Sequence, residues 1–272
     1  MKVVIKLGGS VLTNKDVEDF PTNVNEIRAR TEEFVRTDVV ESLVDEIVYV
    51  LKKEEIDLVL INGAGPFGHY LVKEFLTNRN LQLNSVLESV EILNSFLVQK
   101  FKQRGKEVAS IRPFYTCKFN GSLCLEKLWS MTTHALHKGK IVSTHGDIIP
   151  STIKTNLGNY SIISGDDLVV EISKLWKPEK VVVVTDVDGV FTNDPKLYDD
   201  VDLIPVVKPE TMKYIKFGNP RVDVTGGMES KVKKLFELAK LGIEPRIISG
   251  MKKNNITKVV LENKPVGTLI RL

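Results

Sequence analysis

Cysteine is nearly missing from this chain: Cys117 and Cys124 are the two present in 272 residues, too few for a disulfide framework and at no zinc-binding spacing. Long apolar runs are missing as well. None approaches the roughly 18 residues that a membrane helix needs, and Val3-Val4-Ile5 starts a strand-like run with no apolar leader core or cleavage site before it. A cytoplasmic protein without membrane association is therefore expected. Charge of one sign is scarce too, since 38 Lys and Arg stand against 35 Asp and Glu and alternate with them, for a net +3. That excludes an extended nucleic-acid footprint and leaves room for a local basic pocket around a small anion. The P-loop spacing Gly-x4-Gly-Lys-Ser/Thr is absent, and there is no internal repeat or low-complexity tract.

What is present suits an ordinary globular protein. A hydrophobic share of 42% with 27% charge supports a large core, built as one large domain or as two closely packed lobes. Short β-branched runs recur at Val3 to Ile5, Leu58 to Ile61, Val108 to Ile111, Lys140 to Ser143, Val181 to Val184 and Arg246 to Ile248, most of them separated by helical patterns. Such alternation predicts a mostly parallel sheet covered by helices. The clearest helix spans Leu83 to Lys102, where Val86, Val90, Leu93 and Leu97 recur at three- and four-residue steps. Another runs from Glu229 to Leu241 and stops at Gly242. A fresh strand after Trp176-Lys177-Pro178 puts a lobe boundary near residue 176, giving residues 1–176 and 177–272 as the lobes of a single domain. The chain closes with two short strands expected around Lys264-Pro265-Val266-Gly267. Asn14 to Arg36, the least patterned stretch, reads as a mobile loop running into a helix.

Two glycine-lysine segments from opposite ends of the chain carry the chemistry. Lys6-Leu7-Gly8-Gly9-Ser10 ends the first strand, and Asp223-Val224-Thr225-Gly226-Gly227-Met228-Glu229-Ser230-Lys231 leads into the last long helix. Glycine admits backbone N–H groups to phosphate oxygens and a nearby lysine adds a mobile positive charge, so together they imply one polyphosphate held between them. Taken alone, the first segment reads equally as a tight strand-to-helix turn with a solvated lysine. A third cluster, Asn62-Gly63-Ala64-Gly65-Pro66-Phe67-Gly68-His69, follows the apolar strand Leu58 to Ile61 and opens a helical stretch, Tyr70 to Leu76, whose N-terminus suits an anion. His69 is either a structural turn residue or a donor to a phosphomonoester. In Ser164-Gly165-Asp166-Asp167, before a helix near Leu168, the aspartates read as N-caps or as carboxylates that aim the lysines at a phosphoryl group. Thr185-Asp186-Val187-Asp188-Gly189-Val190, after the strand Val181 to Val184, suits a ribose contact or a capped turn. His145 and the cysteines read as structural.

These segments, in this order and over nearly the whole chain, resemble the amino acid kinase family. Thr13-Asn14-Lys15 and the Gly-Pro-Phe-Gly-His run ending at His69 are similar to the isopentenyl phosphate kinase branch, whose usual forms are Thr-Asp-Lys and Gly-Ser-Phe-Gly-His. The resemblance implies an αβα sandwich with a mostly parallel central sheet, an N-terminal lobe for the phosphorylated substrate, a C-terminal lobe for ATP and Mg2+, and a homodimer. It implies that Lys6, Gly8, Gly9, Ser10, Gly65, Asp186, Gly227 and Lys231 contact ATP, and that Ala64, His69 and Gly165 contact the substrate phosphate. Lys6, Lys15, His69, Asp166 and Lys231 are the implied catalytic set, with Lys15 stabilising the transition state and no protein metal ligand.

The implied activity is ATP-dependent phosphoryl transfer to a small phosphomonoester, isopentenyl phosphate. The same fold acting on a phosphonate such as fosfomycin or on another phosphorylated alcohol, and a non-catalytic nucleotide- or oxyanion-binding protein, are the alternatives. The sequence departs from the family pattern where Asn62 and Ala64 replace the His and the second Gly of His-Gly-Gly-Gly. Ser151 stands for the second aspartate of Gly-Asp-x-x-x-Asp, and Asn14 for the aspartate before Lys15. The Ala64 methyl is expected to narrow the approach to the substrate phosphate. For a prenyl tail, Val86, Val90 and Leu93 on the long helix are the candidate wall; the same stripe reads as ordinary core or dimer packing.

Overall fold

A computed structural model of the chain describes residues 1–14, 19–77, 81–217 and 227–272. It opens with β1 (Lys2–Leu7), the helices α1 (Gly9–Leu12), α2 (Val24–Ala29), α3 (Thr31–Phe34) and α4 (Thr37–Lys53), and β2 (Asp57–Asn62). Next come α5 (Pro66–Thr77), α6 (Leu83–Gln103), β3 (Val108–Ser110), α7 (Pro113–Thr116), β4 (Lys118–Phe119), β5 (Leu123–Cys124) and α8 (Glu126–His137). They are followed by β6 (Ile141–His145), β7 (Asp147–Thr155), β8 (Gly158–Ile163), α9 (Gly165–Trp176) and β9 (Lys180–Thr185). The last elements are β10 (Val206–Val207), a 3-10 turn at Pro209–Tyr214, α10 (Gly227–Ala239), β11 (Arg246–Ser249), α11 (Asn255–Val260) and β12 (Thr268–Ile270).

The main sheet has eight strands in the order β10-β12-β11-β9-β1-β2-β6-β3, and every neighbouring pair is parallel except β11 with β12. Inner strands of a parallel sheet are covered on both faces, which is why β1, β2 and β9 read as unbroken Val, Ile and Leu runs. Alternate residues serve opposite cores. Ile5, Leu60 and Val182 pack with α1 to α6 and α11, whereas Val4, Val59 and Val183 pack with α8, α9 and α10. The result is the expected αβα sandwich, with β1 at its centre between β2 and β9.

Three features differ from the sequence reading. Within Asn14 to Arg36, the described residues form α2 and α3 in place of a loop. Asn23 caps α2 by accepting from the N–H groups of Asn25 and Glu26, and Ile27 and Phe34 are buried. Helices of six and four residues are too short to display a 3.6-residue period. At the C-terminus there is one strand, β12, where two were expected. Pro265 has no N–H for a ladder, and Gly267 turns the chain at φ 71°. A second sheet, β5-β4-β7-β8, went unforeseen, because two of its strands are two residues long and β7 ends on the polar run Ser151 to Thr155.

Candidate active site

The carboxyl ends of β1, β2 and β9 meet at one edge of the sheet, where open α/β folds place their ligands. Two backbone hydrogen bonds splice the loops that leave them, with the Gly8 N–H donating to Val184 O and the Gly63 N–H to Leu7 O, each at 2.8 Å. The glycines then pack backbone on backbone. A Cβ on Gly63 would lie 2.6 Å from the Gly9 nitrogen, and one on Gly9 would strike the Gly65 backbone. Gly65 adopts φ 52° and sits under Thr13, whose hydroxyl donates to Gly9 O at 2.6 Å. Thr13, given no role of its own in the sequence reading, thus braces both loops; its only signal was its place in the Thr13-Asn14-Lys15 segment.

Lys6, two residues before Gly8 near the carboxyl end of β1, is buried. Its Nζ lies 2.6 Å from Asp166 Oδ1, and Lys231 Nζ reaches Asp166 Oδ2 at 3.0 Å and Oδ1 at 3.3 Å. Asp166 occupies the first turn of α9, held by a capping box in which Ser164 and Asp167 each receive the other's backbone N–H. At position 165 a Cβ would sit 3.2 Å from Lys6 Cε, so a side chain there would press on the lysine. Burial, reinforced by the Lys231 charge and only partly offset by Asp166, lowers the Lys6 ammonium to a pKa of about 8. Burial alone would raise the Asp166 carboxyl, but Lys231 and Lys6 outweigh it and hold it well below the usual carboxylate range. A further anion beside Lys6 would keep it charged to higher pH.

Around this cluster, Ser10 Oγ lies 3.4 Å from Thr185 Oγ1, and Thr185 donates to Asp186 Oδ1 at 3.1 Å. Asp186 also pairs with Lys196, and Asp188 pairs with Lys252 at 2.6 Å, two lysines that carried no motif signal. Gly227, at φ 61°, starts α10, and Lys231 stands on its second turn. His69 lies half-buried on the first turn of α5, and its N–H donates to Gly65 O at 3.0 Å. Ala64 packs its methyl against α5, where a Cβ on Gly68 would come within 2.5 Å of it. Lys15 lies outside the described residues, as do Thr225 and Gly226. Ser151 donates to Ile153 O at 2.6 Å within the second sheet. Val86, Val90 and Leu93 are buried in the core beneath α6. His145 is fully buried, bonded to Glu91 and to Gly146 O, as a structural histidine would be. Cys117 is buried and its thiol is pushed up to about 12, far from a nucleophile. Among the described residues no three His, Cys, Asp or Glu side chains converge to hold a metal ion.

The sequence profile of the amino acid kinase family matches residues 1–249. The chain belongs to that family. Among its relatives is the isopentenyl phosphate kinase of Methanothermobacter thermautotrophicus, 28% identical, with the alignment covering 98% of each chain. The isopentenyl phosphate kinase of Methanocaldococcus jannaschii is 27% identical, over 96% of this chain and 95% of that one. A solved isopentenyl phosphate kinase superimposes with a TM-score of 0.79 at 27% identity, over 99% of this chain and all of the other. UMP kinase from Bacillus anthracis, at 18% identity and a TM-score of 0.64, shares the fold. This amino acid kinase scaffold accounts for the placement of its lysines and glycines at one sheet edge.

Proposed function

We propose that this chain is an ATP-dependent kinase whose acceptor is itself a phosphate, isopentenyl phosphate, which it converts to isopentenyl diphosphate. The buried Lys6–Asp166–Lys231 cluster, set beside two glycine loops that share one backbone surface, carries the reading. Near-full-length relatives bearing the name isopentenyl phosphate kinase supply the acceptor. A phosphate monoester has a second pKa of about 6 and is mostly a dianion at neutral pH, so the acceptor needs no general base. Catalysis then reduces to alignment and charge neutralisation.

In this reading Lys6 and Lys231 contact the phosphates of ATP, Asp166 holds their ammonium groups in place, and the amides of Gly8, Gly9, Ser10 and Gly65 complete the cradle. Gly227 and Asp186 bound the nucleotide on the side of α10 and β9. His69, on the first turn of α5, grips the acceptor phosphate with Ala64 and Gly165, and Lys15 offsets transition-state charge. Magnesium suits this site as an ion carried on the nucleotide's own phosphates. A cytoplasmic homodimer built of a substrate lobe, residues 1–176, and a nucleotide lobe, residues 177–272, belongs to the same reading, and sedimentation at the monomer mass would refute the dimer.

The test is ADP release from Mg·ATP with isopentenyl phosphate, other phosphorylated alcohols and phosphonates as acceptors. Turnover fastest with isopentenyl phosphate supports the proposal. Preference for a phosphonate moves the acceptor, and nucleotide binding without turnover on any member makes the protein a non-catalytic relative.

A further inference from the structure

Asp166 has a neighbour that the reaction leaves unexplained. Asp167 Oδ1 accepts from Lys234 Nζ at 2.6 Å, and the same ammonium donates to Ser164 Oγ at 3.2 Å. Ser164 is the N-cap of α9 and Asp167 the other half of its capping box, so Lys234 grips the turn that presents Asp166. On α10, Lys231 and Lys234 are three residues apart and lie on one face, so they meet Asp166 and Asp167 as two adjacent rungs. One turn further along, Glu237 pairs with Lys174 of α9 at 2.6 Å, with the charges reversed. The three rungs form a zipper between the helix that carries the carboxylate and the helix that carries one of its lysines. Val232, Leu235 and Phe236 bury the apolar face of α10 in the core it shares with α9, and the polar rungs add directional contacts along that seam.

We infer that Lys234 is a positioning residue for phosphoryl transfer: by clamping Asp167 and Ser164 it sets where α10 lies along α9 and so keeps the Lys231 ammonium on Asp166. Its consequence for turnover rests on the kinase reading above. Its geometric content does not. Lys234 itself is about a quarter exposed and needs no contact with substrate. The outer rung, Lys174 with Glu237, uses the same chemistry farther from Lys231 and serves as the internal control.

The experiment compares Lys234→Met, Glu237→Gln and the wild type as full-length proteins. A brief pulse of acetic anhydride, read by mass spectrometry, reports how well Lys231 is protected without requiring turnover. Acetylation of Lys231 should rise severalfold in Lys234→Met and stay at the wild-type level in Glu237→Gln. With Mg·ATP and isopentenyl phosphate, Lys234→Met should lower kcat about tenfold to a hundredfold, as a displaced catalytic group does, while both KM values change less than about twofold. In a Lys231→Met background the same substitution should lower kcat no further, because the two act as a unit. Asp167→Asn opens the clamp from the other side and should reproduce the labelling, which covers the case in which Lys234→Met does not fold. Unchanged Lys231 labelling in both clamp variants, or a kcat loss that adds in full to that of Lys231→Met, overturns the inference. If the wild type releases no ADP with any acceptor, the kinase reading fails and the labelling alone decides the clamp.

Discussion

Lys6 is the residue whose chemistry most depends on its surroundings. Burial holds its pKa at about 8, against 10.5 for a free lysine, so the charge that must meet a triphosphate is lost just above neutrality in the empty enzyme. Because kcat/KM reports the free enzyme, kcat/KM for ATP should fall as pH rises through about 8, in a pH–rate profile taken at constant ionic strength. Stability moves the opposite way. A group whose folded pKa is depressed binds fewer protons than the unfolded chain, so between about 8 and 10.5 this lysine makes folding more favourable as pH rises. A fall in activity there, with unchanged or rising resistance to urea, separates titration from unfolding; a flat profile to pH 9.5 removes Lys6 from the nucleotide site. Lys6, Gly8, Gly9, Asp166 and Lys231 were legible in the sequence because several glycine segments carrying lysine or aspartate recur in one order along the chain, although each segment alone also reads as a turn or a cap. Thr13, Lys196 and Lys234 were not, because nothing local distinguishes a bracing threonine or a clamping lysine from a solvated one.

The stripe of Val86, Val90, Leu93 and Leu97 predicted α6, and the structure places these side chains in the core. Hidden on the same helix is a polar edge. Glu91 and Asn94, three residues apart, meet His145 and Ser143, two apart on β6, and continue to Arg112 and Ser110 beyond. Two polar rungs thus fix α6 against the end of β6, next to Gly146, whose N–H donates to Asn62 O at 3.3 Å at the start of the glycine loop. Burial would lower the His145 imidazole, but its bond to Glu91, the Asp147 charge and the Gly146 carbonyl together raise it. Burial would raise Glu91, yet His145 and Arg112 hold it down. The raised histidine contributes stability that is full below 6.5 and is lost as pH rises through its folded value; the lowered carboxylate contributes above 4.5 and is lost as pH falls through its own. Glu91→Gln should therefore destabilise by about 1 to 3 kcal/mol, with the largest difference in urea midpoints between pH 4.5 and 6.5 and a smaller one at pH 8.5. An equal loss at every pH would show that the pair is not ionic.

At the scale of the whole molecule, β1 lies between β2, which leads into the glycine loop at 62–69, and β9, which leads to Asp186 and, later, Lys231. A ligand that bridges the glycine loops and α10 should bind the folded chain alone and stabilise it by mass action. At a hundredfold excess over Kd the gain is about 2.7 kcal/mol, equivalent to a rise in Tm of about 5 °C for a chain of this size. A non-hydrolysable ATP analogue with magnesium, followed by thermal unfolding, checks this, and Lys6→Met should abolish most of the shift. An undiminished shift in that variant would place the nucleotide elsewhere.

By itself the sequence determined the layers: strand and helix periods, turn residues and the glycine-lysine segments all arise from neighbours a few positions apart, so local sterics and burial write them into the chain. Only the tertiary structure decided which of these groups meet. Lys6 and Asp166 are 160 residues apart, and their contact depends on the order of β1, β2 and β9 and on the packing of α9 against β1 and β2. The second sheet, the Lys234 clamp and the Glu91–His145 rung depend in the same way on register between elements. A one-residue slip there would leave every local pattern intact and separate every one of these pairs.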